Sequence, residues 1–542
     1  MYTLLIKNGI IIDGTGNPWF RGDVAIEGDT IKKIGKIPAE SAEKIIDAKG
    51  LAVSPGFIDP HTHFDLTLTL PNHTDLLEPY IRQGVTTFGI GNCGMSAAPV
   101  TDESLDLMKG YLALITAGTP SWSWRSMGDY LNLLDKQGVA FNVAALVGQG
   151  AIRFSVMGAK AGKPSREEME EMKALLRRSL EEGAFGMSTG LVYPPGMWTS
   201  TDELVELAKV LAEYGAVYTS HVRGSSETGI DSEKELVTIA KTGVRVQHSH
   251  HEAFGEKFWG NVYETVRIDE EARREGLDIA YDVIPYTYVN TYLTAIFPPW
   301  ALEGGMPKLV ERLKDPETRA KIKKDVTELI PIWPPWEPGR WPHNLVEAGG
   351  WENIGILSIP SGRKRDWIGK TLVEIGKKLK KDPFDVAADL IVEEGGGVMA
   401  FYLGVTGDRG LKFLLSHPLA SGNSDAILTG TGVPHAAAYG TYPRIIGYYG
   451  RELGLYSLEE AVRKVTSSPA RRLGLERRGI LEAGMYADIT VFDPKRIIDK
   501  ASMKKPAQYP EGIEYVIING QLVFEKGKYY KKLRAGKVLR RT

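Results

Sequence analysis

The sequence predicts an α/β fold: a (β/α)8 TIM-like barrel, a small β-sandwich domain formed by both chain ends, and a long insertion capping the barrel mouth. Three observations predict it. Short strand-and-turn patterns occupy the two ends of the chain. Between them, apolar runs suited to strands alternate with helical stretches through eight repeats. One interval is far longer than a single crossover helix requires.

The elements follow in order. Residues 4–12, 22–27 and 30–34 read as strands separated by Asp13-Gly14 and Gly28-Asp29 turns. Residues 488–492 and 515–524 read the same way, the latter broken by Asn519-Gly520. The segments 1–54 and 476–542 are therefore assigned to one β-sandwich, and 55–475 to the barrel. The barrel strands are expected at 52–59, 85–91, 142–148, 183–188, 216–221, 244–250, 277–284 and 419–425, with helices such as 166–182 and 202–214. The insertion spans 286–410. Its centre, Pro331-Ile-Trp-Pro-Pro-Trp-Glu-Pro-Gly-Arg-Trp341, is rich in Pro and Trp and reads as an irregular lid over the active face.

Bulk properties exclude several function classes. The 542 residues carry a net charge of −2, so no basic field draws nucleic acid or an anionic membrane. The N-terminus runs straight into strand-like sequence without a signal peptide, and no apolar stretch reaches transmembrane length. A single cysteine rules out an internal disulfide and fits a reducing cytosol, so a cytoplasmic location is expected. Scarce glutamine with plentiful Lys, Arg and Glu points to a thermophilic source. Assembly into a homo-oligomer is left open.

The chemistry is concentrated at strand ends. His61-Thr62-His63 places two imidazoles at i and i+2, and therefore on one face of a strand. Neutral imidazole is the commonest side-chain ligand for a divalent metal. Further metal-competent residues recur in phase with the barrel repeat: Asn92-Cys93 after the second strand, His221-Val-Arg223 after the fifth, His248-Ser-His250-His251 after the sixth and Asp425 after the eighth. Zinc accepts thiolate and imidazole, and a catalytic zinc site keeps a position open for water. A nearby carboxylate, for which Asp425 is the candidate, then shuttles the proton between water and a leaving amine. The reaction expected of this set is hydrolysis of an amide or related carbonyl derivative.

These segments resemble the amidohydrolase superfamily and, within it, the N-acyl-D-amino-acid deacylase (D-aminoacylase) family. The resemblance spans almost the whole chain. It is carried by Pro55-Gly-Phe-Ile-Asp-Pro-His-Thr-His-Phe-Asp65, Gly91-Asn-Cys-Gly94, Gly183-Ala-Phe-Gly-Met-Ser-Thr-Gly-Leu-Val-Tyr-Pro-Pro-Gly196, Ser220-His-Val-Arg223, Ser249-His-His251, Asn423-Ser-Asp425, Tyr439-Gly-Thr-Tyr-Pro-Arg444 and Thr466-Ser-Ser-Pro-Ala-Arg-Arg-Leu-Gly-Leu475. It implies a zinc centre in which Cys93, His221 and His250 hold a tight ion, while His61 and His63 form a second, weaker site. It also implies Asp425 as acid/base, with Tyr193, Arg223 and Tyr286 contacting a small N-acyl amino acid or dipeptide. His248, His250 and His251 compete for the ligand role at the sixth strand.

Three places depart from the family pattern, one of them Tyr288-Val-Asn-Thr291, where relatives tend to carry small residues ending in Ser-Thr. Ala437 stands where an arginine binds the substrate carboxylate, and Glu252 where relatives often carry lysine. These departures put the substrate in doubt while leaving the hydrolytic core intact. The competing enzyme reading is a cyclic-amide hydrolase of the hydantoinase or dihydroorotase type. Those relatives bridge their metals with a carboxylated lysine after the fourth strand, where this chain reads Gly186-Met-Ser-Thr. A non-catalytic scaffold is the third reading, and a full ligand set argues against it.

Overall fold

The computed structural model describes residues 1–541. Eight parallel strands follow one another around a ring: β1 (Phe57–Asp59), β2 (Val85–Ile90), β3 (Asn142–Ala145, continued by Val147–Gly148), β4 (Gly186–Gly190), β5 (Val217–His221), β6 (Arg245–His248), β7 (Ile279–Val283) and β8 (Ala420–Gly422). The ring is completed just beyond the strand ends by a bridge between Thr62 and Ala426. Here Asp425 N donates to His61 O at 3.1 Å and His63 N to Ala426 O at 3.2 Å. The strands read as continuous apolar runs because both of their faces are covered; every residue of β2 and β7 is buried.

Helices coat the outside. Helix α1 (Arg166–Glu181) begins at a capping box in which Ser165 and Glu168 each satisfy the other's backbone N–H. It turns Met172, Leu176 and Leu180 inward at four-residue spacing. Helices α2 (Gly229–Ala240) and α3 (Asn261–Arg274) flank β6 in sequence and pack against each other.

The chain ends meet in a separate nine-stranded sheet. Strand Ala52–Pro55 pairs in parallel with Tyr2–Ile11 on one side and antiparallel with Ile489–Phe492 on the other. Leu4, Ile6, Val24, Ile26, Val53, Ile489, Val491 and Ile517 form its own core. The apolar run 52–59, read as one strand, is therefore two. It breaks at Gly56, where a Cβ would sit 2.3 Å from Thr86 Oγ1, so only glycine lets the chain pass from one sheet to the other.

The insertion is more regular than its composition suggests. Strands Tyr288–Tyr292, Met399–Leu403 and Ile354–Ser358 form an antiparallel sheet, accompanied by helices including Pro316–Glu328 and Pro383–Glu394. Only the Pro/Trp-rich centre lacks strands and helices, and even there Trp341 is fully buried. Among the described residues, no helix is long and apolar enough to cross a membrane.

Candidate metal centre

The ends of β1, β2, β5, β6 and β8 converge. After β1 the chain is held by Asp59, whose carboxylate accepts the His61 N–H at 3.2 Å and the Ser424 hydroxyl at 2.5 Å. Thr62 is pinned to Gly89 O through both its backbone and its hydroxyl. His61 and His63 consequently face the same way. His221 is the last residue of β5. Cys93, His250 and Asp425 adopt left-handed backbone, with φ of 52°, 37° and 44°. Such strain costs about 1–3 kcal/mol per residue and clusters at functional sites. Here it turns three side chains inward just past their strand ends.

The side chains form two groups that share Cys93: His61, His63, Cys93 and Asp425 in one, Cys93, His221 and His250 in the other. Within each group the candidate ligand atoms lie within 4.8 Å of one another. Cys93 Sγ is 3.2 Å from His61 Nε2, 3.7 Å from His221 Nδ1 and 3.6 Å from His250 Nε2. Asp425 Oδ1 is 3.0 Å from His63 Nε2 and 3.3 Å from His61 Nε2. Zinc–sulfur and zinc–nitrogen bonds at a tetrahedral angle separate the two donors by about 3.5 Å. The Cys93 distances to His221 and His250 match that edge, so these residues fit zinc.

The electrostatics agree. Burial disfavours every charge here, yet mutual attraction overrides it for most of the set. Against that burial, Cys93 and Asp425 hold His61 well above its ordinary value, while the Cys93 hydrogen bond and Asp425 raise His250 to about 9. Despite burial, His61 and its neighbours hold both the Cys93 thiol and the Asp425 carboxyl well below their usual ranges. Burial, then His250, lowers His221. The site thus stabilises thiolate and carboxylate, the forms that bind a cation.

The structure separates the three histidines of the sixth strand. β6 ends at His248, and the left-handed turn at His250 sends that ring toward Cys93. His248 instead meets Glu233, and His251 meets Thr265, both at 2.8 Å. The shared face that alternation predicts for His248 and His250 does not survive this turn. Asp282 organises the region: its Oδ1 accepts the His250 N–H at 2.7 Å, and its backbone carbonyl accepts that of His251.

A pocket opens beside the cluster, lined among others by Tyr193, His221, His250, Glu252, Asn290, Thr291, His343 and Asp425. Of the three expected substrate contacts, only Tyr193 is there, its hydroxyl 2.5 Å from Thr291 Oγ1. Arg223 is fully buried, captured through Nε by both Glu235 oxygens at 2.8 and 3.0 Å, and covered by the Trp336 ring. Tyr286 turns to Asp499, with the Arg444 guanidinium over its ring. Ala437 is buried outside the cavity lining. No lysine or arginine is among the lining residues, whereas Glu252 is. Asn290, Thr291 and His343 come from the insertion; the first two belong to the divergent Tyr288-Val-Asn-Thr291 segment, and only His343 has no sequence motif around it. Scarcity of histidine, ten in the chain, is the one signal that flags His343.

The profile of the amidohydrolase family matches residues 44–325 and 409–524. The N-acyl-D-glutamate deacylase of Alcaligenes xylosoxydans xylosoxydans is 32% identical over 539 residues, covering 99% of this chain and 96% of the relative. The D-aminoacylase of the same organism is 31% identical over 542 residues, covering 100% and 98%. The crystal structure of the N-acyl-D-glutamate deacylase from Bordetella bronchiseptica, complexed with zinc and a phosphonate that mimics the tetrahedral intermediate, matches with a TM-score of 0.82 at 30% identity, covering 100% of both chains. With its fold, its ligand cluster and these full-length relatives in agreement, the chain belongs to the amidohydrolase family.

Proposed function

We propose that this protein is a zinc-dependent amidohydrolase that cleaves a linear amide, deacylating N-acyl-D-amino acids or related N-acyl amino acids and dipeptides. The observation that carries this reading is the convergence of Cys93, His221, His250, His61, His63 and Asp425 from five strand ends beside one pocket. The relatives named above, a deacylase and an aminoacylase, supply the substrate class.

In this reading Cys93, His221 and His250 hold a tight zinc ion, and His61 and His63 offer a second, weaker site beside it. Bound zinc supplies Lewis acidity, polarising the scissile carbonyl and making water acidic near neutral pH. Asp425 is held ionised by its neighbours and lines the cavity, so it accepts the proton of the attacking water. It then returns that proton to the amide nitrogen, which leaves as an amine while the acyl carbon becomes a carboxylate. His63 and His61 hold the Asp425 carboxylate in place. Tyr193 and the insertion residues Asn290, Thr291 and His343 shape the wall that receives the substrate. Glu252, which burial raises to about 7, places a carboxyl in that wall, which favours carboxamides over the matching free acids.

The ring of strands is read as the (β/α)8 barrel domain, 55–475. The end sheet is read as the small β domain, 1–54 with 476–542, and 286–410 as the cap. A cytosolic setting suits a centre built on a free thiol. A hydrolysis screen on zinc-loaded protein tests the function, using N-acetyl-D- and L-amino acids, their carboxamides, dipeptides and cyclic ureides. Turnover of the linear amides supports it. Turnover confined to the cyclic compounds overturns it in favour of the hydantoinase-type reading.

A further inference from the structure

A second set of metal-competent side chains lies between the end of β6 and helices α2 and α3. Glu233 comes from α2, Asp269 from α3, and His248 and His251 from β6 and the residues after it. All four are at least nine-tenths buried. One ligand atom from each of Glu233, His248 and His251 lies within 4.8 Å of the others. His248 Nδ1 is 2.8 Å from Glu233 Oε2, the two imidazole rings stack at 4.1 Å, and the Asp269 carboxyl adjoins that of Glu233.

Hydrogen bonding shows what this cluster lacks. The Thr265 hydroxyl donates to the Asn261 and Val262 carbonyls at 3.0 and 3.2 Å, so it accepts from His251 Nε2 at 2.8 Å. That places the ring proton on Nε2 and leaves Nδ1 a bare lone pair. His251 Nδ1, Glu233 Oε1 and both Asp269 oxygens have no hydrogen-bond partner among the described residues. Burial raises both carboxyls, Glu233 to about 7, and they adjoin closely enough to share a proton, so either a proton or a cation must lie between them, while His251 Nδ1 has no donor at all. The nearest cation, Arg273, directs its guanidinium to Asp278 and the Ile279 carbonyl. Burying such groups unpaired costs several kcal/mol unless something positive lies between them. A divalent ion held among Glu233, His248 and His251 answers Glu233 Oε1 and His251 Nδ1, the two that belong to this ligand group. Imidazole with carboxylate is a donor set that zinc-class ions accept, and an outer hydrogen bond such as Thr265 to Nε2 is what ligating histidines carry.

We propose that Glu233, His248 and His251, with the Asp269 carboxyl adjoining Glu233, bind a zinc-class divalent cation at a site separate from the Cys93 centre. The ion would tie the end of β6 to α2 and α3. Because His248 and His251 bracket His250, it would also brace the strand end that presents His250 to the catalytic centre. Its role is structural and positioning.

The full-length protein tests this by anomalous diffraction at the zinc edge from crystals grown with zinc. A peak among Glu233, His248, His251 and Asp269 is expected. Its absence overturns the proposal, whatever the Cys93 centre shows, and means that the two carboxyls share a proton instead. In solution, apo Cys93→Ala protein titrated with zinc should bind one ion through this cluster and melt at a higher temperature. Adding Glu233→Gln and His251→Ala should abolish both effects. Zinc binding and stabilisation that persist in the triple variant assign the ion elsewhere and also overturn the proposal. Loss of zinc from the Cys93 centre alone bears on the catalytic reading and not on this one.

Discussion

Asp425 Oδ1 stands 3.0 Å from His63 Nε2, although 362 residues separate them in the chain. The contact exists because the backbone closes the ring at the same level, Asp425 N to His61 O and His63 N to Ala426 O. A carboxylate from the last strand is thereby set against the histidine pair that follows the first. Surrounding positive groups keep it ionised despite its burial, as a proton acceptor at neutral pH requires.

Asp425→Asn preserves the shape of this side chain and removes its basicity. Zinc content and melting temperature should stay close to those of the parent, and kcat should fall by at least about 100-fold. Turnover within about tenfold of the parent would show that the proton travels by another group. A parallel loss of zinc would instead make Asp425 chiefly a ligand.

Cys93 is shared by both ligand groups and is the only thiol in the chain. Truncating it to alanine should remove the tight zinc and the activity together, because no other soft donor exists to replace it. Metal analysis beside a hydrolysis assay decides the matter. An active, zinc-loaded Cys93→Ala protein would return the residue to the role of a small buried hydrophobe.

The substrate end of the cavity carries Glu252 and no lysine or arginine. Carboxamides should therefore have higher kcat/KM than the matching N-acyl-D-amino acids. Glu252→Lys should move the acid-to-carboxamide ratio toward the acid by about tenfold or more, the scale of one charge-assisted hydrogen bond. Restoring an arginine at Ala437 is the poorer test, because that residue is fully buried and a large side chain would displace its neighbours. A parent enzyme that already prefers the acids would show that a cation beyond the lining residues receives the carboxylate.

His73 provides a pH test independent of the active site. Its Nδ1–H donates to Leu70 O at 2.8 Å, while Nε2 accepts from Arg534 Nη1 at 2.7 Å. Burial, aided by Arg534, lowers its pKa to about 4. The unfolded chain, with a histidine near 6.5, binds more protons between these values, so stability falls as the pH drops below 6.5 and is fully present above it. By pH 5 this one group should cost about 2 kcal/mol. Urea unfolding of the parent and His73→Gln between pH 7 and 5 should show a shallower pH slope in the variant. Equal slopes would mean that His73 does not govern acid sensitivity.

Much of the site was legible because it follows from local periodicity. His61 and His63 share a face by strand alternation, and the recurrence of Cys93, His221 and Asp425 at strand ends marks one face of the repeat. The apolar runs that became β2 to β7 were readable because strands covered on both sides need no polar alternation. Tertiary structure decided the rest. Alternation predicts a common face for His248 and His250, but the left-handed turn at His250 sends one ring to Cys93 and leaves the other with Glu233. Arg223 is anchored through Nε to Glu235 of α2, with Nη1 and Nη2 unpaired among the described residues, and Tyr286 meets Asp499 through its hydroxyl. Asn290, Thr291 and His343 reach the cavity only because the insertion builds its own sheet over it. The sequence by itself determined which residue types stand at each strand end, since strand geometry depends only on neighbouring residues. Where each side chain points beyond the strand end depends on backbone turns and partners supplied by distant segments, and only the folded chain sets those.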